Sequence, residues 1–193
     1  ALMWETRFGP DRGFARRRPD VHTTILRLAH LVGPTADTAL TRHLRLPAVP
    51  TVFGFDPRLQ FLHIDDAVDV LTTATTTADL DPTEPELAGP APGTRAGQDR
   101  GRAGRPTVFN IAGDGTIFLS QAVRRLGRAS VPVPSPLLSW VRSVVGKGGE
   151  LPPVAELTYG RVADTTRMRT ELGFQPRYST AAALATMYEL RRG

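Results

Sequence analysis

From residue 23 onward, runs of consecutive apolar residues alternate with segments whose apolar positions recur every three or four residues. "TTILRLAHLV" carries β-branched and apolar side chains on both faces and ends at Gly33-Pro34, which predicts a buried strand over about 23–32. "TADTALTRHLRL" predicts a short helix starting near Thr35 or Asp37, and "AVPTVFGF" and "RLQFLHI" predict two further extended runs. A helix follows from Asp65 or Asp66 to about Thr77, with Ala67, Val68, Val70, Leu71 and Ala74 as its apolar face. The pattern resumes at "TVFNIAG", a strand, followed by a helix in "LSQAVRRLGR" with Ser120 as its cap. "VPVPSPLLSWVRSVVG" predicts an extended piece and then a helix turning Trp140 and Val144 to the core. The tail predicts a strand, a helix after Asp164 that stops at Gly173, and a last helix from about Ser179. Alternating strands and helices predict an α/β fold.

Two stretches lack this patterning. Residues 1–20 have no clean period, and Gly9, Pro10 and Gly13 interrupt any helix there. Residues 79–105 are dense in Pro, Gly and charge, too poor in large apolar side chains to offset the entropy of ordering them, and are expected to be a disordered insertion. The organisation expected is therefore an irregular start (1–20), a first patterned part (21–78), the insertion (79–105) and an α/β part (106–193).

Composition removes several chemistries. The 193 residues include no cysteine, so disulfides, thiolate metal sites and cysteine nucleophiles are excluded. No apolar run reaches the ~20 residues that span a membrane, and no secretory leader pattern is visible, so a soluble cytoplasmic protein is expected. The net charge is +5, and nearly all of the positive charge is arginine, Lys147 being the single lysine. Arginine, alanine, glycine and proline share GC-rich codons, which weakens charge as an argument for a nucleic-acid partner. The chain begins with Ala1, and a fragment of a longer protein is expected.

Motifs narrow the chemistry further. Gly89, Gly93, Gly97, Gly101 and Gly104 follow no apolar strand and open no helix, so they lack the setting of a phosphate-binding loop. Gly113-Asp114-Gly115 is expected to be a turn. The histidines at 22, 30, 43 and 63 form no metal-ligand spacing, and no metal site is expected. Arg16-Arg17-Arg18 has no interleaved aromatics with which to stack bases. In "LHIDDAVDVL", Asp65 and Asp66 stand where a cap and a first-turn acid belong, and His63 reads at least as well as a packed, hydrogen-bonded residue as it does as a ligand.

In order, "TILRLAHLVGP", "FGFDPRLQFLHIDDAVDVL", "TVFNIAGDG…LSQAV" and "VADTTRMRTELGFQP" resemble the C-terminal half of extended short-chain dehydrogenases/reductases, the NAD-dependent epimerase/dehydratase family that includes nucleotide-sugar epimerases. The resemblance covers roughly residues 21–190, apart from the insertion. It implies the C-terminal part of a Rossmann-type fold with an incomplete parallel sheet: the last Rossmann-side strand and the start of the substrate-side part in 21–78, and a small substrate-side α/β subdomain in 106–193. It implies NAD or NADP as cofactor, a nucleotide sugar or similar hydroxyl compound as substrate, and a homodimer for the full-length parent. Leu28 and Ala29 match positions that lie beside the cofactor through backbone atoms. His30 falls where relatives often carry an asparagine that contacts the substrate diphosphate. Relatives also carry an arginine four residues before the histidine of the His-x-Asp-Asp segment; here that place is Leu59, and Arg58, one residue away, is the substrate-contact candidate. Asp164 matches a capping aspartate.

The family's glycine-rich loop and its Tyr-x-x-x-Lys pair have no counterpart in residues 1–193: Tyr159, Tyr178 and Tyr188 are followed four positions on by Ala163, Ala182 and Arg192. No catalytic residue is therefore assigned, and the chain by itself is expected to be inactive. The competing expectation is a non-catalytic module that binds nucleic acid or another polyanion.

Overall fold

The computed structural model describes residues 23–77, 107–134, 136–137 and 152–191. The predicted strand over 23–32 forms, but as two pieces: β1 (Thr24–Leu28) and β2 (His30–Val32), separated at Ala29. The pieces have different partners. β1 pairs in parallel with β6 (Thr107–Ile111), whereas β2 pairs in parallel with β5 (Phe61–His63). The chain leaving β6 passes along the far side of β5, where Gly113 N–H donates to Phe61 O at 2.8 Å. β5 thus enters a fork that opens between β2 and the continuation of β6. Gly113 is required by this fork: a Cβ there would lie 2.7 Å from Phe61 O and 2.8 Å from Tyr178 O. The turn expected at Gly113-Asp114-Gly115 is also a seam, for Asp114 bridges to Ser179.

A second parallel pair joins β3 (Ala48–Val52) to β8 (Ala129–Val133), and β4 (Arg58–Leu59) pairs antiparallel with β7 (Ile117–Phe118). Helix α1 (Ala39–Leu44) precedes β3. Its cap is Thr38 rather than Thr35 or Asp37: Thr38 and Thr41 exchange side-chain-to-backbone bonds in a reciprocal box. Asp37 instead holds Arg42 at 2.8 Å. Helix α3 (Leu119–Arg125) precedes β8. Ser120 does not cap it; its N–H and hydroxyl both donate to the carboxylate of Asp56, which caps the helix from another loop.

Helix α2 (Ile64–Thr77) starts one residue earlier than expected, and neither aspartate caps it. His63 does: its Nδ1 accepts the Asp65 N–H at 3.2 Å. Asp66 turns inward, fully buried, and accepts the backbone N–H groups of Arg177 and Tyr178 at 3.0 and 3.1 Å. Ala67 and Val70 are buried, while Val68 and Leu71, expected on the apolar face, are more than half exposed.

The tail departs in one respect. In place of a strand there is a single bridge between Arg161 and Leu59, after α4 (Val154–Tyr159). Gly160 lies against the backbone of Arg58 too closely for any side chain. Helix α5 (Thr166–Thr170) follows Asp164, which accepts the Thr166 N–H at 2.9 Å. Helix α6 (Thr180–Ala185) is capped by Ser179, as expected, and runs into a 3-10 turn over Thr186–Arg191. One apolar cluster gathers around Phe61, Leu44, Leu119 and Leu184; the other joins Leu62, Val70, Phe109, Ile111 and Met168. The insertion expected over 79–105, the irregular start over 1–20 and the helix expected to bear Trp140 and Val144 lie outside the described residues.

Candidate functional site

The fork in the sheet carries a cavity of about 270 Å³. Its floor is the carboxyl end of the parallel β1–β6 pair: Arg27, Leu28 and Ala29 on one strand and Asn110 on the other. This is where open α/β sheets hold ligands, because strands that part beyond their carboxyl ends leave a crevice between them. The opposite wall is the segment Arg161–Asp164.

That wall is fixed by short polar contacts. Gln60, buried in an otherwise apolar strand segment, donates from Nε2 to Gly113 O at 2.9 Å and accepts the Ala163 N–H on Oε1 at 3.0 Å. Asn110 Nδ2 donates to Asp164 O at 3.1 Å, and Arg161 N–H donates to Arg58 O at 3.0 Å. Asp164 supplies the one carboxylate among the lining residues. The Thr166 hydroxyl, and after it the Thr166 N–H, hold that carboxyl below its ordinary value, with burial opposing weakly. It is an anion at neutral pH, with its charge engaged in capping α5, and so is poorly matched to moving protons. Arg27 and Arg161 are the two basic residues among those that line the cavity. Such a lining can hold and orient polar groups, and it contains no acid–base pair.

Of the residues singled out from sequence, Leu28 and Ala29 line the cavity, and His30 and Arg58 do not. His30 faces α4, where its Nε2 lies 2.8 Å from Glu156 Oε1, both side chains being mostly buried. The Arg58 guanidinium lies over the Phe118 ring at 5.1 Å from its centroid, while its carbonyl supports the wall through Arg161. Gln60, Asn110 and Arg161 were missed. Gln60 had a signal: a lone uncharged polar residue inside "LQFLHI", a place that needs buried partners. His63 is buried, its ring stacked on Tyr178 at 4.0 Å.

Among the described residues no group of His, Asp and Glu is placed to hold a metal ion, and no helix is long and apolar enough to cross a membrane. Nor does any glycine-rich turn there join a strand to a helix N-terminus, so these residues supply no cradle for a dinucleotide pyrophosphate.

No protein-family model matches the chain. The uncharacterized proteins Rv0501 of Mycobacterium tuberculosis and Mb0513 of Mycobacterium bovis are 42% identical to it over 180 residues, which is 91% of this chain and 41% of each relative. Among solved structures, MoeE5 in complex with UDP-glucuronic acid and NAD aligns with 94% of this chain and 51% of its own, at a TM-score of 0.58 and 18% identity. The UDP-glucose 4-epimerase of Thermotoga maritima, solved with UDP-glucose, aligns with 93% and 49%, at 0.53 and 19%. The UDP-N-acetylglucosamine 4-epimerase of Bacillus cereus aligns with 94% and 50%, at 0.52 and 15%. The fold is that of part of a Rossmann-type α/β protein. The chain spans about half the length of these structures and less than half that of the curated relatives it matches.

Proposed function

We propose that this chain forms the substrate-side part of an NAD(P)-dependent oxidoreductase of the epimerase/dehydratase type, acting on a nucleotide sugar. The observation that carries the reading is the cavity at the fork. Leu28 and Ala29, matched from sequence to the cofactor side, line it together with Arg27, Asn110 and the Arg161–Asp164 wall. Solved neighbours of the same fold hold UDP-sugars and NAD. At about 270 Å³ the cavity falls just below the ~300–1,000 Å³ of a complete small-molecule pocket. It has room for one ring and its substituents, and the remainder of the ligand rests on other parts of the complete protein.

NAD would bring the hydride acceptor and donor. The residues of this chain contribute a wall of fixed shape, held by Gln60, and positive charge from Arg27 and Arg161. His30 and Arg58 are proposed to meet the substrate from outside the cavity, His30 oriented by Glu156. The domain division at residues 78 and 106 stands as part of the same proposal.

Calorimetric titration of the chain with UDP-glucose and with NAD tests the reading. The expected result is weak binding of UDP-glucose, lost on Ala29→Phe, with no epimerisation. Binding indifferent to Ala29→Phe, or micromolar NAD binding with turnover, would overturn it. Steeply salt-dependent DNA binding in place of UDP-glucose binding would favour a polyanion-binding module.

A further inference from the structure

We propose that Glu156 is a positioning residue that fixes the proton of His30 on Nε2, so that His30 meets the substrate with a bare Nδ1 and takes a hydroxyl of the sugar rather than the phosphates. This rests on the reading above, in which His30 contacts a nucleotide sugar, and names the part of that substrate the side chain serves.

Both side chains stand on fixed backbone. His30 opens β2, directly after Ala29, which lines the cavity. Its ring is tilted against that of Phe61, with centroids 6.4 Å apart. Glu156 is in the first turn of α4. Its neighbour Leu157 is buried in the cluster around Phe61, and just beyond the helix Arg161 N–H donates to Arg58 O at 3.0 Å.

The contact between them decides the tautomer. His30 Nε2 and Glu156 Oε1 are 2.8 Å apart. A carboxylate oxygen only accepts, and two lone pairs at that distance repel, so Nε2 carries a proton. A neutral imidazole has one proton. With it on Nε2, Nδ1 keeps an unshared pair and can only accept. The Nε2 atom is buried, while 12% of the side chain stays exposed, so the exposed part belongs to its other atoms. A carboxylate that sets one nitrogen of a histidine leaves the other to meet a ligand.

A bare nitrogen discriminates among the groups of a nucleotide sugar. It accepts from a hydroxyl, which has a proton to give. It repels the oxygens of an ionised diphosphate, which have none.

Long-range proton–nitrogen correlation spectra of the histidine-labelled chain at pH 8 test this, the His30 signals being identified by their loss in His30→Asn. The free chain is expected to show a protonated Nε2 and a bare Nδ1. UDP-glucose should shift the Nδ1 resonance, and UDP should not. Glu156→Ala should let both tautomers appear and weaken UDP-glucose binding about 2–10-fold, the worth of one neutral hydrogen bond, with UDP binding unchanged. Glu156→Gln, which keeps an acceptor oxygen, should restore the Nε2 tautomer. If Glu156→Ala does not fold, the spectra of the unaltered chain decide. A free chain with a proton on His30 Nδ1, alone or together with Nε2, overturns the proposal whatever binds. So does UDP-glucose binding that moves the Leu28 and Ala29 amides and leaves Nδ1 unmoved, or an equal Nδ1 shift with UDP. If UDP-glucose moves none of these signals, the nucleotide-sugar reading itself falls and takes this proposal with it.

Discussion

Phe61–His63 and Thr24–Val32 are adjacent strands of similar apolar content. All three residues of the first are buried, whereas of the second only Ile25 and Val32 are. The difference comes from neighbours. Phe61 has β2 on one side and, on the other, Gly113 and the Thr180 hydroxyl, which accepts the Phe61 N–H at 3.3 Å. Thr180 closes the edge of β5 with one side chain, donating onward to Gly115 O at 2.9 Å. No described residue does this for the longer strand. Apolar content therefore predicts the strand but not its burial, which depends on whether both edges and both faces are covered.

The largest expected effect tests this contrast directly. Phe61→Ala should cost about 3–5 kcal/mol in urea unfolding, and Leu26→Ala, at the half-buried strand, distinctly less. Equal losses would mean that the longer strand is as well covered as β5. Next comes Asp66→Ala. It strands the Arg177 and Tyr178 N–H groups and should cost about 1–3 kcal/mol, with hydrogen exchange quickening at those two amides. An effect confined to the start of α2 would return Asp66 to the capping role that its sequence position suggests. A smaller loss is expected from His63→Ala, about 0.5–2 kcal/mol, partly recovered in His63→Asn, which keeps an acceptor for the Asp65 N–H. The smallest effect is a pH dependence. Asp164 has a lowered carboxyl value in the folded chain against an ordinary value of 3.8. Its support of α5 is therefore complete above that ordinary value and disappears as pH falls through the lower, folded one. Acid titration followed by the Thr166 amide resonance should show the loss, and Asp164→Asn should abolish it.

The order of strands and helices was legible in the sequence because periodicity and caps are local. Ser179 caps α6, Asp164 precedes α5, and the run from Ile64 to Thr77 is helical. What was not legible depends on contacts between residues far apart in the chain. Asp66 looks like a first-turn acid, and only the approach of Arg177 and Tyr178 makes it an interior anchor. His63 was missed as a cap because imidazole rarely takes that place. Val68 and Leu71 fit an apolar face by spacing, but spacing alone does not say how wide a stripe the core covers. Leu28 and Ala29 reached the cavity through a family resemblance. Gln60 and Asn110, which hold its walls, occupy positions that matter only once β5 has entered the fork.

The proposed function places a nucleotide sugar at the fork and not on the arginine-rich surface at large. Titrating UDP-glucose into the isotopically labelled chain while following backbone amide resonances tests it most directly. The predicted result is a saturating set of shifts confined to Leu28, Ala29, Asn110 and the Arg161–Asp164 segment, absent in Ala29→Phe. Shifts spread over exposed arginines, disappearing with added salt and untouched by Ala29→Phe, would contradict it.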